Sequence, residues 1–256
     1  MSISRLGRAK GLEKYWSEHL DDRPETAVHI ESIEDDEIYP FSEVEDYPFT
    51  GQIELRGEFS FEVPDRNGGS FDKDGRYQYR TESGLFLLQA PTDLVDPEEV
   101  FDEINLRLSS TVEIEEALSL PRESLWRFIS IADSIETLRL RGENGIYDAT
   151  LLIQLLREDD PIEALDTKPE FQELNSVEDI KKVVTSAEAS SDIEGIQDLD
   201  IDLYNTLIDE FQATYWFNGM TAEITYLHGE LKIDAEDPDV REYVIQLFER
   251  DVMASG

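Results

Sequence analysis

Ile53-Glu54-Leu55-Arg56-Gly57-Glu58-Phe59-Ser60-Phe61-Glu62-Val63 alternates apolar and polar side chains almost without interruption. Successive side chains of a strand point to opposite faces. Ile53, Leu55, Phe59, Phe61 and Val63 therefore line one side, and Glu54, Arg56, Glu58, Ser60 and Glu62 line the other. One face then packs on a core while the other meets water, the habit of antiparallel sheets.

The flanking residues extend the pattern. A turn-rich stretch, Pro64-Asp65-Arg66-Asn67-Gly68-Gly69 through Asp74-Gly75, leads to a second strand. There Tyr77 and Tyr79 are expected to face inward. Arg76, Gln78 and Arg80 are expected to face outward, the arginines opposite Glu58 and Glu62. Leu85–Ala90 reads as a third strand, apolar throughout. Asp96-Pro97-Glu98-Glu99 then opens a helix, with Asp as its cap, proline at the first helical position and acids at the positive end of the dipole. Val100, Phe101, Ile104 and Leu108 are its buried stripe.

The C-terminal quarter repeats this layout. Thr214–Phe217, an Asn218-Gly219 turn, Met220–Leu227, a His228-Gly229 turn and Glu230–Asp234 read as a three-stranded meander. Asp237-Pro238 then caps a helix with Val240, Tyr243, Val244, Leu247, Phe248 and Val252 at helical spacing. The expected fold class is α+β: two antiparallel three-stranded meanders, each followed by an Asp-Pro-capped helix, flanking a helical segment. Four stretches follow along the chain. Residues 1–48 give an N-terminal helix (2–20) and an acidic irregular arm, and 49–160 the first meander with the helical segment. Residues 161–202 are an acidic linker region with a short helix, and 203–256 a helix-meander-helix unit. Arg5, Arg8, Lys10 and Lys14 form a basic island near the N-terminus, either an arm for an anionic partner or a neutraliser of neighbouring acids.

Between the meanders, Val112–Leu120, Pro121–Ile129, Thr137–Arg141, a Glu143-Asn144-Gly145 turn and Ile146-Tyr147 follow the Asp96-capped helix. Helix, short helix, turn, longer helix, hairpin is the order of a winged helix-turn-helix, which residues 97–150 resemble. Ile114, Leu118, Leu120, Leu125 and Phe128 match its apolar positions. The resemblance departs from the pattern at Glu115 and Ser119, where small residues and glycine are usual. It implies a recognition helix starting at Pro121. Arg122, Ser124 and Arg127 would then face phosphates or base edges, and Arg139 and Arg141 would lie on one face of the wing.

Composition narrows the setting. The 256 residues hold 60 Asp+Glu against 22 Lys+Arg, a formal charge of −38, with only seven lysines and no cysteine. Disulfides, thiolate metal sites and cysteine nucleophiles are thereby excluded. The longest pure acidic block is Glu34–Glu37, too short for a nucleic-acid mimic. An evenly acidic, lysine-poor chain resembles the cytosolic proteins of salt-accumulating haloarchaea. At molar salt the Debye length falls to roughly 3 Å and screens the self-repulsion. The melting temperature should accordingly climb steeply between about 0.1 M and about 2 M KCl, and equal values would refute that reading. There is no apolar run of about eighteen residues and no signal-peptide core, so a cytoplasmic protein without membrane contact is expected.

For chemistry, Asp65, Asn67, Asp72 and Asp74-Gly75 suggest a calcium loop, but the glycine is misplaced and no closing glutamate follows. Asp209 or Glu210 on a helix, with Glu223, Glu230 and Lys232 on strands, is similar to the core of metal-dependent nucleases, where carboxylates hold Mg²⁺. A polar outer sheet face accounts for the same residues. No cofactor is expected. The function expected is that of a non-catalytic regulatory or adaptor protein contacting DNA or a protein partner, with a metal-dependent nuclease or related hydrolase as the alternative.

Overall fold

The computed structural model describes residues 2–10, 28–30, 34–64, 68–91, 105, 113–115, 122–142, 145–159, 163–164, 167–173, 207–227 and 230–254. The chain forms two compact units, neither of them a continuous stretch. The first takes Met1–Leu120, Gly229–Lys232 and Ile245–Gly256, and the second takes Pro121–His228 and Ile233–Val244.

The first unit is built on an antiparallel sheet. Its strands are β1 (Ser2–Lys10), β2 (Val28–Ile30), β3 (Glu34–Glu37), β4 (Ile53–Pro64), β5 (Ser70–Arg80), β6 (Leu85–Pro91), β7 (Glu113–Glu115) and the start of β12 (Glu230–Asp234). The order is β2-β4-β5-β6-β1-β12, with β3 also on β4 and β7 on β1. Leu55 and Phe59 of β4, Tyr77 and Tyr79 of β5 and Leu85–Leu88 of β6 are buried. Tyr77 stacks on Phe86 with ring centroids 6.1 Å apart. Burial pushes the Tyr77 and Tyr79 phenols up from their ordinary value.

Several segments differ from expectation: Val28–Ile30 and Glu34–Glu37, expected within an irregular arm, are strands paired with β4. Ser2–Lys10 is a strand rather than a helix, and the rest of the expected helix, 11–20, lies outside the described residues. Ser2, Ser4 and Gly7 are weak helix formers. Gly7 instead lies opposite the large Phe86, and β1 runs the length of β6 from Ser2↔Pro91 to Arg8↔Leu85. The register also sets Arg5 opposite Glu230, Arg8 opposite Glu115 and Lys10 opposite Glu113, while Lys14 of the basic island lies outside the described residues. Glu113–Glu115, expected within a helix, is likewise a strand. Asn105 holds it as a neighbouring backbone would: its Nδ2 donates to the Ile114 carbonyl and its Oδ1 accepts the Ile114 N–H, each at 2.8 Å. The Asp96-capped helix lies outside the described residues apart from helical Asn105.

Gly84, in the turn before β6, has φ +70, and a Cβ there would lie 2.9 Å from the Ala9 carbonyl oxygen. The Ala9 N–H donates to the Gly84 carbonyl at 2.8 Å, so β1 is seated on this turn.

The second unit comprises α1 (Arg122–Ser130), β8 (Ser134–Gly142), β9 (Gly145–Asp148), α2 (Thr150–Leu156), β10 (Leu207–Phe217), β11 (Met220–Leu227) and the start of α3 (Pro238–Phe248). Its strands run β11-β10-β8-β9. Asn218 (φ 50) and Gly219 (φ 81) make the tight β10–β11 turn that their sequence announces. Asp237 caps α3 as expected, its Oδ1 accepting the N–H groups of Asp239 (2.8 Å) and Val240 (3.3 Å).

The α+β class stands. The two meanders do not stand as separate three-stranded units, because β1, β2, β3 and β7 join the first set of strands and β8 and β9 join the second. The C-terminal unit does not open with a helix either, because β10 begins at Leu207. Leu247, in the part of α3 that belongs to the first unit, is 3% exposed. Leu247→Ala should cost roughly 2–5 kcal/mol in a denaturant titration.

Candidate functional site

In the second unit one sheet face is covered and the other is open. Ile135, Leu138 and Leu140 of β8, Phe211, Ala213, Tyr215 and Phe217 of β10, and Ala222, Ile224 and Tyr226 of β11 are buried. Helix α1 contributes Leu125, Trp126, Phe128 and Ile129 to that core. The Phe128 ring lies 5.1 Å from Tyr215 and 6.3 Å from Phe211. The Tyr215 hydroxyl donates to the Phe128 carbonyl at 2.8 Å, satisfying an acceptor that the end of the helix leaves over.

The expected site residues are divided by this sheet. Arg122 and Ser124 stand in the first turn of α1, and their side chains lie outside the described ones. Arg127 is exposed on α1, which covers the buried face. Arg139 and Arg141 project from the open face. Arg139 Nη1 lies 2.9 Å from Glu210 Oε2, and Arg141 Nη2 lies 2.5 Å from Asp209 Oδ1. Helix α1 is followed by the β8–β9 hairpin, and β8 is also bonded to β10 along its length. Arg127 and the two hairpin arginines do not form one cationic surface.

The open face is ordered in rows. Asp148, Arg139, Glu210 and Leu227 lie side by side across β9, β8, β10 and β11. Arg141 sits opposite Ile146. A second row runs Thr137, Gln212, Thr225. Further along, Thr214 lies opposite Glu223 and Trp216 opposite Thr221. Three large apolar side chains stand in solvent on this face: Trp216 at 59% exposure, Ile146 at 54% and Leu227 at 40%. Alternation in Phe211-Gln-Ala-Thr-Tyr-Trp-Phe217 could have flagged Trp216 from sequence, since Tyr215 and Phe217 claim the buried side.

Hydrogen bonds from Thr150, side chain first and then backbone, hold the Asp148 carboxyl below the usual carboxylate value, with Arg139 adding to the same shift. The Thr150 N–H reaches Asp148 Oδ1 at 3.0 Å. A depressed folded value means that this contribution to stability is present above the unfolded pKa and lost as pH falls through the folded one. An NMR titration should show Asp148 titrating lower than an aspartate without hydrogen-bond or cationic partners, and Thr150→Val should move it upward.

The first unit holds a polar centre that the sequence reading missed. Arg80, expected to face outward, is fully buried, as are Glu249 and Gln52. Arg80 Nη1 lies 2.9 Å from Glu249 Oε2. The same carboxylate accepts hydrogen bonds from Tyr47 Oη (2.5 Å), Ser83 Oγ (2.6 Å) and Gln52 Nε2 (2.9 and 3.1 Å). Glu249 opens a π-helical turn, Glu249–Met253, closed by the Ala254 N–H on the Glu249 carbonyl. One turn earlier, Gln246 accepts the Phe41 N–H at 3.0 Å and donates to the Tyr39 carbonyl at 3.2 Å. The end of the chain thus clasps the loop ahead of β4 through two side chains. With every oxygen of Glu249 engaged by donors, this is a closed structural centre.

Asp72 and Asp74 belong to β5, opposite Glu62 and Ser60, so they do not form a calcium loop; Asp65 and Asn67 lie outside the described residues. Asp209 and Glu210 sit on a strand against arginines, not on a helix, which takes from the nuclease reading the acids that would open its site. Among the described residues, no group of three His, Asp or Glu side chains is placed to hold a metal ion. Nor is any described helix long and apolar enough to cross a membrane. In comparison with known proteins, no family model and no curated protein matches the chain.

Proposed function

We propose that this chain is a partner-binding protein of adaptor or regulatory type, and that it takes a protein partner over the open face of β8–β11. The observation that carries the reading is the outward projection of Trp216, Ile146 and Leu227 from one sheet face. Exposed aromatic side chains are enriched where proteins dock. The DNA reading needs Arg139 and Arg141 at phosphates, and both are engaged by carboxylates instead. Glu136, Asp148 and Glu223 add further negative charge that would repel a phosphate backbone. The acidic composition supports a salt-rich cytoplasm as the setting.

A photo-crosslinking residue at Gln212, in the middle of the face, tests this in cells grown under the native salt regime. The expected result is a discrete protein adduct that disappears on Trp216→Ala and is absent when the probe sits at Glu43 in the other unit. No adduct, or the same adducts from both positions, refutes the reading. Binding of duplex DNA that falls with Arg139→Ala would restore the nucleic-acid alternative.

A further inference from the structure

The neighbourhood of Trp216 is specific enough to name what the partner brings, if the reading above holds. Trp216 projects from the open face, and three acidic residues are held at neighbouring positions. Asp133 Oδ2 accepts the backbone N–H of Trp216 at 2.6 Å. Glu136 Oε1 accepts the Thr214 hydroxyl at 3.0 Å, one pleat from Trp216 on the same face. Glu223 lies directly opposite Thr214, on the diagonal from Trp216, where side chains on the same face come within reach of one another. Asp133, Glu136, Trp216 and Glu223 are all exposed.

The arginines of this unit near that spot have other employment. Arg139 pairs with Glu210, three rows from Trp216. Arg157 donates to the main-chain carbonyls of Ala132 and Asp133. A solvent-facing indole with exposed acids at neighbouring positions of its sheet face is complementary to a cation that also has a flat apolar surface. An aromatic face attracts cations through its quadrupole, and indole does so best. Guanidinium stacks on that face and keeps its edge N–H groups free for carboxylates, which ammonium cannot do. Contact interactions of this kind also outlast the loss of long-range attraction when the Debye length shrinks to about 3 Å in molar salt.

We infer that Trp216, flanked by Glu136 and Glu223, is the anchor point for an arginine side chain of a protein partner. Asp133 fixes the strand beneath the indole, and Ile146 and Leu227 mark the apolar margins of the docking surface at the opposite end of the face. The occupant is an arginine-bearing protein segment. The row of Thr137, Gln212 and Thr225 supplies hydrogen-bonding groups along its path.

The test follows the indole N–H resonance of Trp216, assigned by its loss in Trp216→Phe, during titration with acetyl-Gly-Arg-Gly-amide. The same peptide with citrulline in place of arginine is the uncharged control, nearly identical in shape. The expected result is a saturable shift with millimolar affinity for the arginine peptide, at least about threefold tighter than for the citrulline peptide. Glu136→Gln combined with Glu223→Gln should weaken arginine binding by about threefold or more. Both acids are exposed, and an unchanged melting temperature of that variant will show that the fold is intact. No shift, or equal shifts with both peptides, overturns the inference. If either occurs while the Gln212 crosslink still depends on Trp216, the docking face stands and only its arginine preference falls; loss of both results removes the face as well.

Discussion

Glu249→Ala is expected to destabilise the first unit by about 3–5 kcal/mol, since it strands a buried guanidinium whose partner is gone. Arg80 and Glu249 are each 0% exposed and lie 2.9 Å apart. Taking both charges out of water costs several kcal/mol per ion, and only their mutual attraction and added hydrogen bonds offset it. The three uncharged donors on Glu249, from Tyr47, Ser83 and Gln52, lose their acceptor in the same substitution. Glu249→Gln keeps an acceptor oxygen and most of the shape, so its cost should be smaller. The pair itself is isolated by a double-mutant cycle with Arg80→Met. The double variant should be more stable than the sum of the two single losses implies, by about 0.5–3 kcal/mol. Strict additivity in urea unfolding would mean that the two charges do not stabilise one another. Hydrogen exchange locates the effect: amides of β4, β5 and β6 should lose protection.

That centre shows where sequence reading stops. Period two in β5 correctly placed Tyr77 and Tyr79 inside and set Arg76 opposite Glu58, where the two side chains meet at 3.2 Å. The same rule put Arg80 in solvent. It failed because the outer face at that end of the strand is occupied by a residue 169 positions away along the chain. No local pattern announces such a partner. Glu62 likewise proves to lie opposite Asp72 rather than an arginine.

Other misses have local causes. Ile208 and Asp209 are both buried because the β8–β10 register shifts between Ile208 and Glu210. An extra residue of this kind breaks the alternation and leaves apolar positions 207, 208 and 211 at a spacing that imitates a helix. Glu113–Glu115 is too short for its alternation to outweigh the helical appearance of its neighbours, and Asn105 completes it from outside. What was legible carries its own chemistry: the Asn218-Gly219 turn, the Asp237 cap, the long strand at Ile53 and the helix-then-hairpin from Arg122 to Asp148. The arginines of that hairpin were also legible as one face. The carboxylates beside them were not, because they come from β10, about seventy residues on.

Phe128→Ala should cost the second unit about 3–5 kcal/mol, the range for removing a fully buried aromatic ring. Phe128 is 0% exposed and is the contact through which α1 meets Tyr215 and Phe211. Tyr215→Phe keeps the ring but removes the hydroxyl that donates to the Phe128 carbonyl, leaving a buried acceptor unsatisfied at a cost of about 1–3 kcal/mol. One residue further along, Trp216→Ala should change stability by no more than about 0.5 kcal/mol, because that side chain stands on the other face in solvent. Tyr215 and Trp216 are thus neighbours in sequence with opposite expected phenotypes: the first is read in unfolding and the second in binding. Thermal melts of the three variants beside the arginine-peptide titration separate the two roles. If Trp216→Ala melted as early as Phe128→Ala, the indole would be holding the sheet together, and the open face would lose its claim as a surface kept for a partner.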